Sequence, residues 1–321
     1  MASTSLMATM ATTTSTKKYL IVIVGATGSG KTALSLALAE HYGAPIISTD
    51  SRQLYQGMAI GTAQPSAEEL QRVEHHFINC FDVHRDFNCG EYERMALDRL
   101  AQLFAKHDVV VAVGGSGLYI KALCEGMDDL PDAAPELREQ LVAQLESNGL
   151  AWLVERLHEL DEEYWREVDR SNPQRVLRAV EVCLATGKRY SELRKGVTKQ
   201  RDFEIVKVGI AMPRERLYER INLRVEQMVQ AGLEEEVRAM SPYRNLNALQ
   251  TVGFSEMFDY MDGKITREEA IELIKRNSRR YAKRQMTWFR RDKDIEWFEE
   301  PTSAQVVEYI DSRFGEYEIK S

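Results

Sequence analysis

The run YLIVIV at 19–24, followed directly by GATGSGKT at 25–32, constrains this chain more than any other stretch. Apolar and mostly β-branched, the run reads as a buried strand, and the turn after it opens onto TALSLALAE, which reads as a helix. Gly25, Gly30, Lys31 and Thr32 satisfy the pattern G-x-x-x-x-G-K-[ST], in which successive backbone N–H groups wrap a diphosphate. The candidate cradle is therefore Gly25, Ala26, Thr27, Gly28, Ser29, Gly30, Lys31 and Thr32, with Lys31 adding a point charge and Thr32 offering its hydroxyl to Mg2+.

Further apolar runs at 45–48, 76–81 and 108–113 alternate with helical stretches at 31–42, 66–72 and 91–106. That alternation predicts an α/β, P-loop NTPase-like parallel sheet flanked by helices, with the loop at its carboxyl edge. After Gly126, MDDLPDAAPELREQ opens a charged, strand-poor stretch, which predicts an inserted all-helical domain over 127–200. EIVKVGIAM at 204–212 then returns to the sheet, so the catalytic core is expected over 19–126 and 201–300. Helices are expected at about 214–240, 247–261 and 266–291, with an edge strand at 295–298. Residues 1–18, rich in Ser, Thr and Ala, are expected to be a disordered tail, and 301–321 a C-terminal tail.

A chain of 321 residues can hold one large domain and a smaller one, and no apolar run in it approaches the roughly 20 residues of a membrane span. Cys80, Cys89, Cys124 and Cys183 show no C-x-x-C pairing, which argues against a disulfide framework or zinc ribbon and fits a reducing cytoplasm. The net charge of −8 excludes a protein that is basic throughout, yet residues 264–293 hold eleven Lys or Arg against four acids. A nucleic acid docking locally is compatible with that segment.

Asp50, in TDSRQLYQGMAIGTAQP at 49–65, ends the second strand and faces the same crevice as the loop. It could touch Mg2+, accept a proton from a nucleophile, or simply cap the next turn. VGGSGLYIKAL at 113–123 is a second glycine-rich turn, in which Ser116 can donate at a helix start. Arg175 and Arg178 share a helical face, either solvated or set against phosphates. In KRNSRRYAKRQMTWFRR at 275–291, Lys275, Arg279 and Lys283 stack at i, i+4 spacing, and such a helix repels itself unless anions are near.

Taken together, GATGSGKT, TDSRQLYQGMAIGTAQP, VGGSGLYIKAL, NPQRVLRAVEV, TVGFSEM and RRYAKRQMTWFRR resemble, in that order, the motifs of the tRNA dimethylallyltransferases, also called tRNA isopentenyltransferases. The resemblance implies that the loop holds dimethylallyl diphosphate and that the acceptor is N6 of adenosine 37, in tRNAs reading codons that begin with U. It implies catalytic roles for Asp50 as general base, Thr32 through Mg2+, and Arg279 on the departing diphosphate. It assigns to tRNA the residues Asp50, Ser51, Arg52, Gln53, Ser116, Arg138, Gln174, Arg175, Val176, Leu177, Arg178, Gln250, Thr251, Val252, Gly253 and Phe254, with the target base flipped out of the loop. A monomer acting in the cytoplasm on the anticodon arm is expected.

The chain departs from the family pattern at Ala59 and Gln64, where an acid and a lysine are common, and at Phe254 and Ser255, where Tyr and a basic residue are usual. Nothing after 298 resembles the zinc finger that eukaryotic relatives append, which points to a bacterial-type enzyme. The competing readings are an isopentenyltransferase acting on free adenylate and an ATP-dependent small-molecule kinase; a non-enzymatic RNA-binding protein leaves the loop and Asp50 unexplained.

Overall fold

The computed structural model describes residues 17–319 apart from Asp129 and Asp132, so nearly all of the expected N-terminal tail lies outside the described residues. Six strands, β1 (Tyr19–Gly25), β2 (Ile46–Ser48), β3 (His75–His76), β4 (Val109–Val113), β5 (Glu204–Ala211) and β6 (Ile295–Glu299), form one parallel sheet in the order β3-β2-β4-β1-β5-β6. The helices before β5 are α1 (Lys31–Tyr42), α2 (Ala67–Arg72), α3 (Cys89–Phe104), α4 (Gly117–Glu125), α5 (Pro135–Leu160), α6 (Glu162–Glu167), α7 (Pro173–Thr186) and α8 (Tyr190–Leu193). Those after it are α9 (Arg214–Gln230), α10 (Leu233–Met240), α11 (Phe254–Met261), α12 (Arg267–Phe289) and α13 (Ser303–Ile319). No helix among the described residues is long and apolar enough to cross a membrane.

β1 explains why the sequence opens on an unbroken apolar run. Leu20, Val22 and Val24 point into one core, which includes Ala96, Leu100 and Leu123, while Ile21 and Ile23 point into another with Leu34, Leu38 and Ile310. Both faces are covered, so period-2 alternation survives as a choice of core rather than as polar against apolar. From β1 the chain runs out to β2 and β3, returns to β4, and then crosses to β5 on the far side of β1. Strand order therefore reverses about β1, and the crevice outside its carboxyl end is where such sheets bind ligands.

The chain forms two compact units, one comprising the segments before 125 and after 200, the other residues 125–200. The smaller unit is helical and closes around Leu153, Leu157, Val176, Ala179 and Val180. Its buried Asp161 accepts the Tyr164 N–H at 3.0 Å and the Ser191 N–H at 2.7 Å, which fastens α6 to α8.

Several expected elements differ. Only His75 and His76 pair as β3, because Phe77 and Asn79 take positive φ angles of 63° and 49° and turn the chain out of extended geometry. The single helix expected over 214–240 breaks at Gly232, whose φ of 101° starts α10. Residues 247–261 give a short 3₁₀ turn and then α11. The expected C-terminal tail is instead α13, which seats Val306 and Ile310 in the core beside α1. Its apolar positions fall at 306, 307 and 310, a helical spacing diluted by the polar residues around it.

Replacing Ile310 with Ala is expected to cost about 2–5 kcal/mol in urea unfolding, the cost of truncating a buried isoleucine. An unchanged midpoint would mean that this segment is the tail its composition resembles.

Candidate functional site

Glycine at positions 25, 28 and 30 lets the loop after β1 fold under other chain. Gly28 has φ +81°, and a Cβ there would stand 3.1 Å from Ile221 Cγ1 of α9, while a Cβ on Gly25 would stand 2.9 Å from the Ile210 carbonyl of β5. Closing the loop this tightly points the unpaired N–H groups at the start of α1 outward, the arrangement that binds anions. Not every loop group is available for that. The Thr27 N–H donates to Gln285 Oε1 at 2.8 Å, and the Thr27 hydroxyl accepts from Arg224 Nη1 at 3.3 Å.

Lys31 donates to the Ala26 carbonyl at 2.7 Å beneath the loop. Burial pushes its pKa down to about 7, the neighbouring Arg224 adds to the fall, and Asp50 partly offsets it. Arg224 is itself lowered by burial, with Arg220 adding to the effect and Asp50 opposing it. These cations lack enough negative charge around them, and an anionic ligand would supply it.

Arg279 does not occupy the place expected for it. It stands on α12 outside the crevice lining, donating to Asn222 Oδ1 at 2.6 Å and lying 5.9 Å from the Tyr218 ring. Arg224 lines the crevice in its stead. The sequence does carry a signal for it, since Arg220 and Arg224 are one turn apart beside the apolar stripe Leu217, Ile221 and Val225. That pattern is the ordinary one for a solvated face, and only docking of α9 against the loop gives it meaning.

Asp50 begins a turn that its own carboxylate organises. Oδ1 accepts the Arg52 N–H at 2.8 Å and the Gln53 N–H at 3.3 Å. Oδ2 lies 4.0 Å from where a Cβ on Gly115 would be, on the crevice side of the second glycine turn. Ser116 ties that turn to Ser51: its Oγ accepts the Ser51 N–H at 2.9 Å and donates to Ser51 Oγ at 3.1 Å. The Tyr281 hydroxyl lies beside Ser116, and burial together with the charge on Asp50 pushes the Tyr281 pKa up to about 12. Thus Asp50, Thr32, Lys31, Arg224, Gly115 and Tyr281 border a single crevice.

The loop that carries the departures at 59 and 64 is held by side chains from two places. Glu236 of α10 accepts the Ile60 and Gly61 N–H groups at 2.8 Å each, and the Gln64 side chain donates to the carbonyls of Gln53 and Tyr55 at 3.0 Å. Gln53 is also engaged within this loop, its amide donating to Ala63 at 2.9 Å. Arg52 reaches the Asn247 carbonyl at 2.7 Å.

Of the remaining residues assigned to tRNA, some cannot offer side chains. Phe254 is fully buried in the main core, and Val176 and Leu177 are buried in the core of the helical unit, on the inner face of α7. Gln174 and Arg175, on the opposite face, are exposed, as is Gln250. Arg138 and Arg178 both hold the buried Glu181, at 3.1 and 2.9 Å. Thr251, Val252 and Gly253 border the crevice.

A family model described as IPP transferase matches residues 53–292. A tRNA dimethylallyltransferase of Cytophaga hutchinsonii is 48% identical over 93% of this chain and 98% of its own length. One of Christiangramia forsetii is 47% identical, over 92% and 99%. Among solved structures, the full-length tRNA isopentenylpyrophosphate transferase of Bacillus halodurans has 35% identity and a TM-score of 0.69, covering 94% of this chain and 98% of that one. A eukaryotic dimethylallyltransferase, described as acting on tRNA, has 25% identity and a TM-score of 0.76, over 90% of this chain and 75% of that one. With relatives close to half identical along nine-tenths of its length, this chain belongs to the IPP transferase family.

Proposed function

We propose that this protein transfers a dimethylallyl group from dimethylallyl diphosphate to N6 of adenosine 37 in tRNAs that read codons beginning with U. The observation that carries the proposal is one crevice joining a cation-rich phosphate loop to the Asp50 turn, with Ile78, Val113, Val225, Met228, Val252 and Ile274 as apolar walls. A phosphoryl donor has no use for those walls beside its terminal phosphate, whereas a branched hydrocarbon does. Relatives named tRNA dimethylallyltransferase support the same substrate pair.

The chemistry follows from where charge develops. Breaking the allylic C–O bond leaves cationic character on carbon and negative charge on the departing diphosphate. Lys31 and Arg224, held at the loop by the Ala26 carbonyl and the Thr27 hydroxyl, would bear that negative charge together with the loop N–H groups. Adenine N6 is a weak nucleophile, because its lone pair is delocalised into the ring. Asp50 Oδ2 would accept its proton as the new C–N bond forms, and Oδ1 stays fixed by two backbone N–H groups. A stacked base cannot reach this crevice, so the target is flipped out beside Ser51 and Ser116, with the exposed Arg280, Lys283 and Arg284 of α12 toward the RNA backbone. Gln174, Arg175, Arg138 and Arg178 of the helical unit supply further contacts to the anticodon arm. The enzyme acts as a monomer in the cytoplasm.

Among the described residues, no three His, Cys, Asp or Glu side chains cluster into a metal cage. The donor set at the loop is the Thr32 hydroxyl and the Asp50 carboxylate. That fits Mg2+, which is commonly held by one or two protein oxygens together with substrate phosphates. When bound there, Mg2+ neutralises charge on the leaving diphosphate.

Incubation with dimethylallyl diphosphate, Mg2+ and an anticodon stem-loop carrying A36-A37-A38 is expected to yield N6-prenylated adenosine. Equal prenylation of free AMP would favour the free-adenylate reading, and phosphoryl transfer from ATP the kinase reading. Asp50→Ala should lower turnover roughly 10²-fold or more while the stem-loop still binds, and unchanged turnover would remove Asp50 from the mechanism. Arg224→Gln should lower turnover by a similar factor of about 10²–10³, the usual loss when one donor to a developing anion is removed, with Arg279→Gln well below that. In the free protein Lys31 loses its proton as pH rises through about 7, so kcat/KM for the diphosphate should fall above that pH. In Lys31→Arg, whose charge persists, that limb should vanish whatever the absolute rate. A wild-type profile that stays flat to about pH 9 would contradict this role.

A further inference from the structure

Gln285 is 6% exposed, and both ends of its amide are used across the crevice. Oε1 accepts the Thr27 N–H of the phosphate loop at 2.8 Å, and Nε2 donates to the Gly115 carbonyl of the second glycine turn at 2.9 Å. A Cβ on Gly115 would lie 2.2 Å from Nε2, so this position holds glycine to admit the amide. One turn earlier on α12, Tyr281 lies beside Ser116, which in turn holds Ser51, the residue after Asp50. A single helix thus grips the loop that would hold the leaving group and the turn that carries the base.

We infer that Gln285, assisted by Tyr281, is a positioning residue that sets the separation between the diphosphate loop and Asp50. The inference rests on the prenyl-transfer reading above. Neither side chain needs to touch a reacting atom for this. The pair removes a degree of freedom, sliding of the 114–116 turn relative to the 25–32 loop, that would otherwise have to be frozen in each catalytic event. A misplacement of about 1 Å between reacting groups can cost on the order of 10²-fold in rate. The leaving group would be held by Lys31, Arg224 and the loop amides other than that of Thr27, none of which bonds the Gln285 amide, so ground-state binding should be spared. That split between turnover and affinity separates positioning from general support of the loop.

The test is single-turnover prenylation of the stem-loop by the wild-type protein, Gln285→Met and Tyr281→Phe. It is combined with thermal melting and with calorimetric binding of inorganic pyrophosphate in the presence of Mg2+. Methionine keeps the length of glutamine without its hydrogen bonds or a new charge. The expected result is a fall of about 10²-fold in the chemical step for Gln285→Met and about 10-fold for Tyr281→Phe, with the pyrophosphate Kd within about threefold of wild type. Wild-type rates in both variants overturn the inference, as does a pyrophosphate Kd weakened by the same factor as the rate, which would make Gln285 a prop for the anion loop alone. Should Gln285→Met fail to fold, Tyr281→Phe decides by the same criteria, since it removes one hydroxyl. A wild-type protein with no prenylation activity sinks the functional reading instead, a result distinguishable from every variant outcome.

Discussion

Lys31 and Arg224 are held close together at a glycine loop, each made a weaker acceptor of a proton by burial, Lys31 further by the charge on Arg224 and Arg224 further by the charge on Arg220. Taking two cations out of water costs several kcal/mol per ion unless anions join them, and Asp50 offsets only part of that cost. The folded protein therefore carries, at the carboxyl edge of its sheet, a demand for negative charge that a diphosphate can meet. Much of the surrounding structure serves to keep these cations in place. β1 is sealed between β4 and β5 and buried on both faces, so the loop that follows it cannot drift. α9 packs against Gly28 through Ile221, and the same helix carries Arg224 toward Thr27.

α12 serves the site through different faces. Gln285 and Tyr281 point inward to the two glycine turns. Trp288 covers Gly117, where an added Cβ would meet its ring at 2.2 Å, so the start of α4 is pressed against the same helix. Arg279 is tied to Asn222, which couples α12 to α9. Arg280, Lys283 and Arg284 remain exposed. The basic character that makes the segment look self-repelling in the sequence is thus divided between a structural tie and an outward surface suited to a polyanion. Under the proposed function, catalytic geometry and nucleic-acid affinity would share one rigid element, which favours precise placement over mobility.

The sequence determined the strand-loop-helix at 19–42, the parallel sheet, the helical insertion and the return at β5. Each rests on local periodicity and on glycine and proline punctuation, which act over a few residues. It also put Asp50 at the crevice of the loop, because strand ends in such sheets share one edge. The placement of Phe254, Val176 and Leu177 in cores, of Arg224 rather than Arg279 in the crevice, and of α13 against α1 was decided only by tertiary packing. A motif names a run of residues, but a helix turns about 100° per residue, so neighbours within one motif face opposite ways. Which of them meets ligand, RNA or core depends on what packs against the helix, and the partners of Arg224 and Gln285 lie roughly 170 to 260 positions away in the chain.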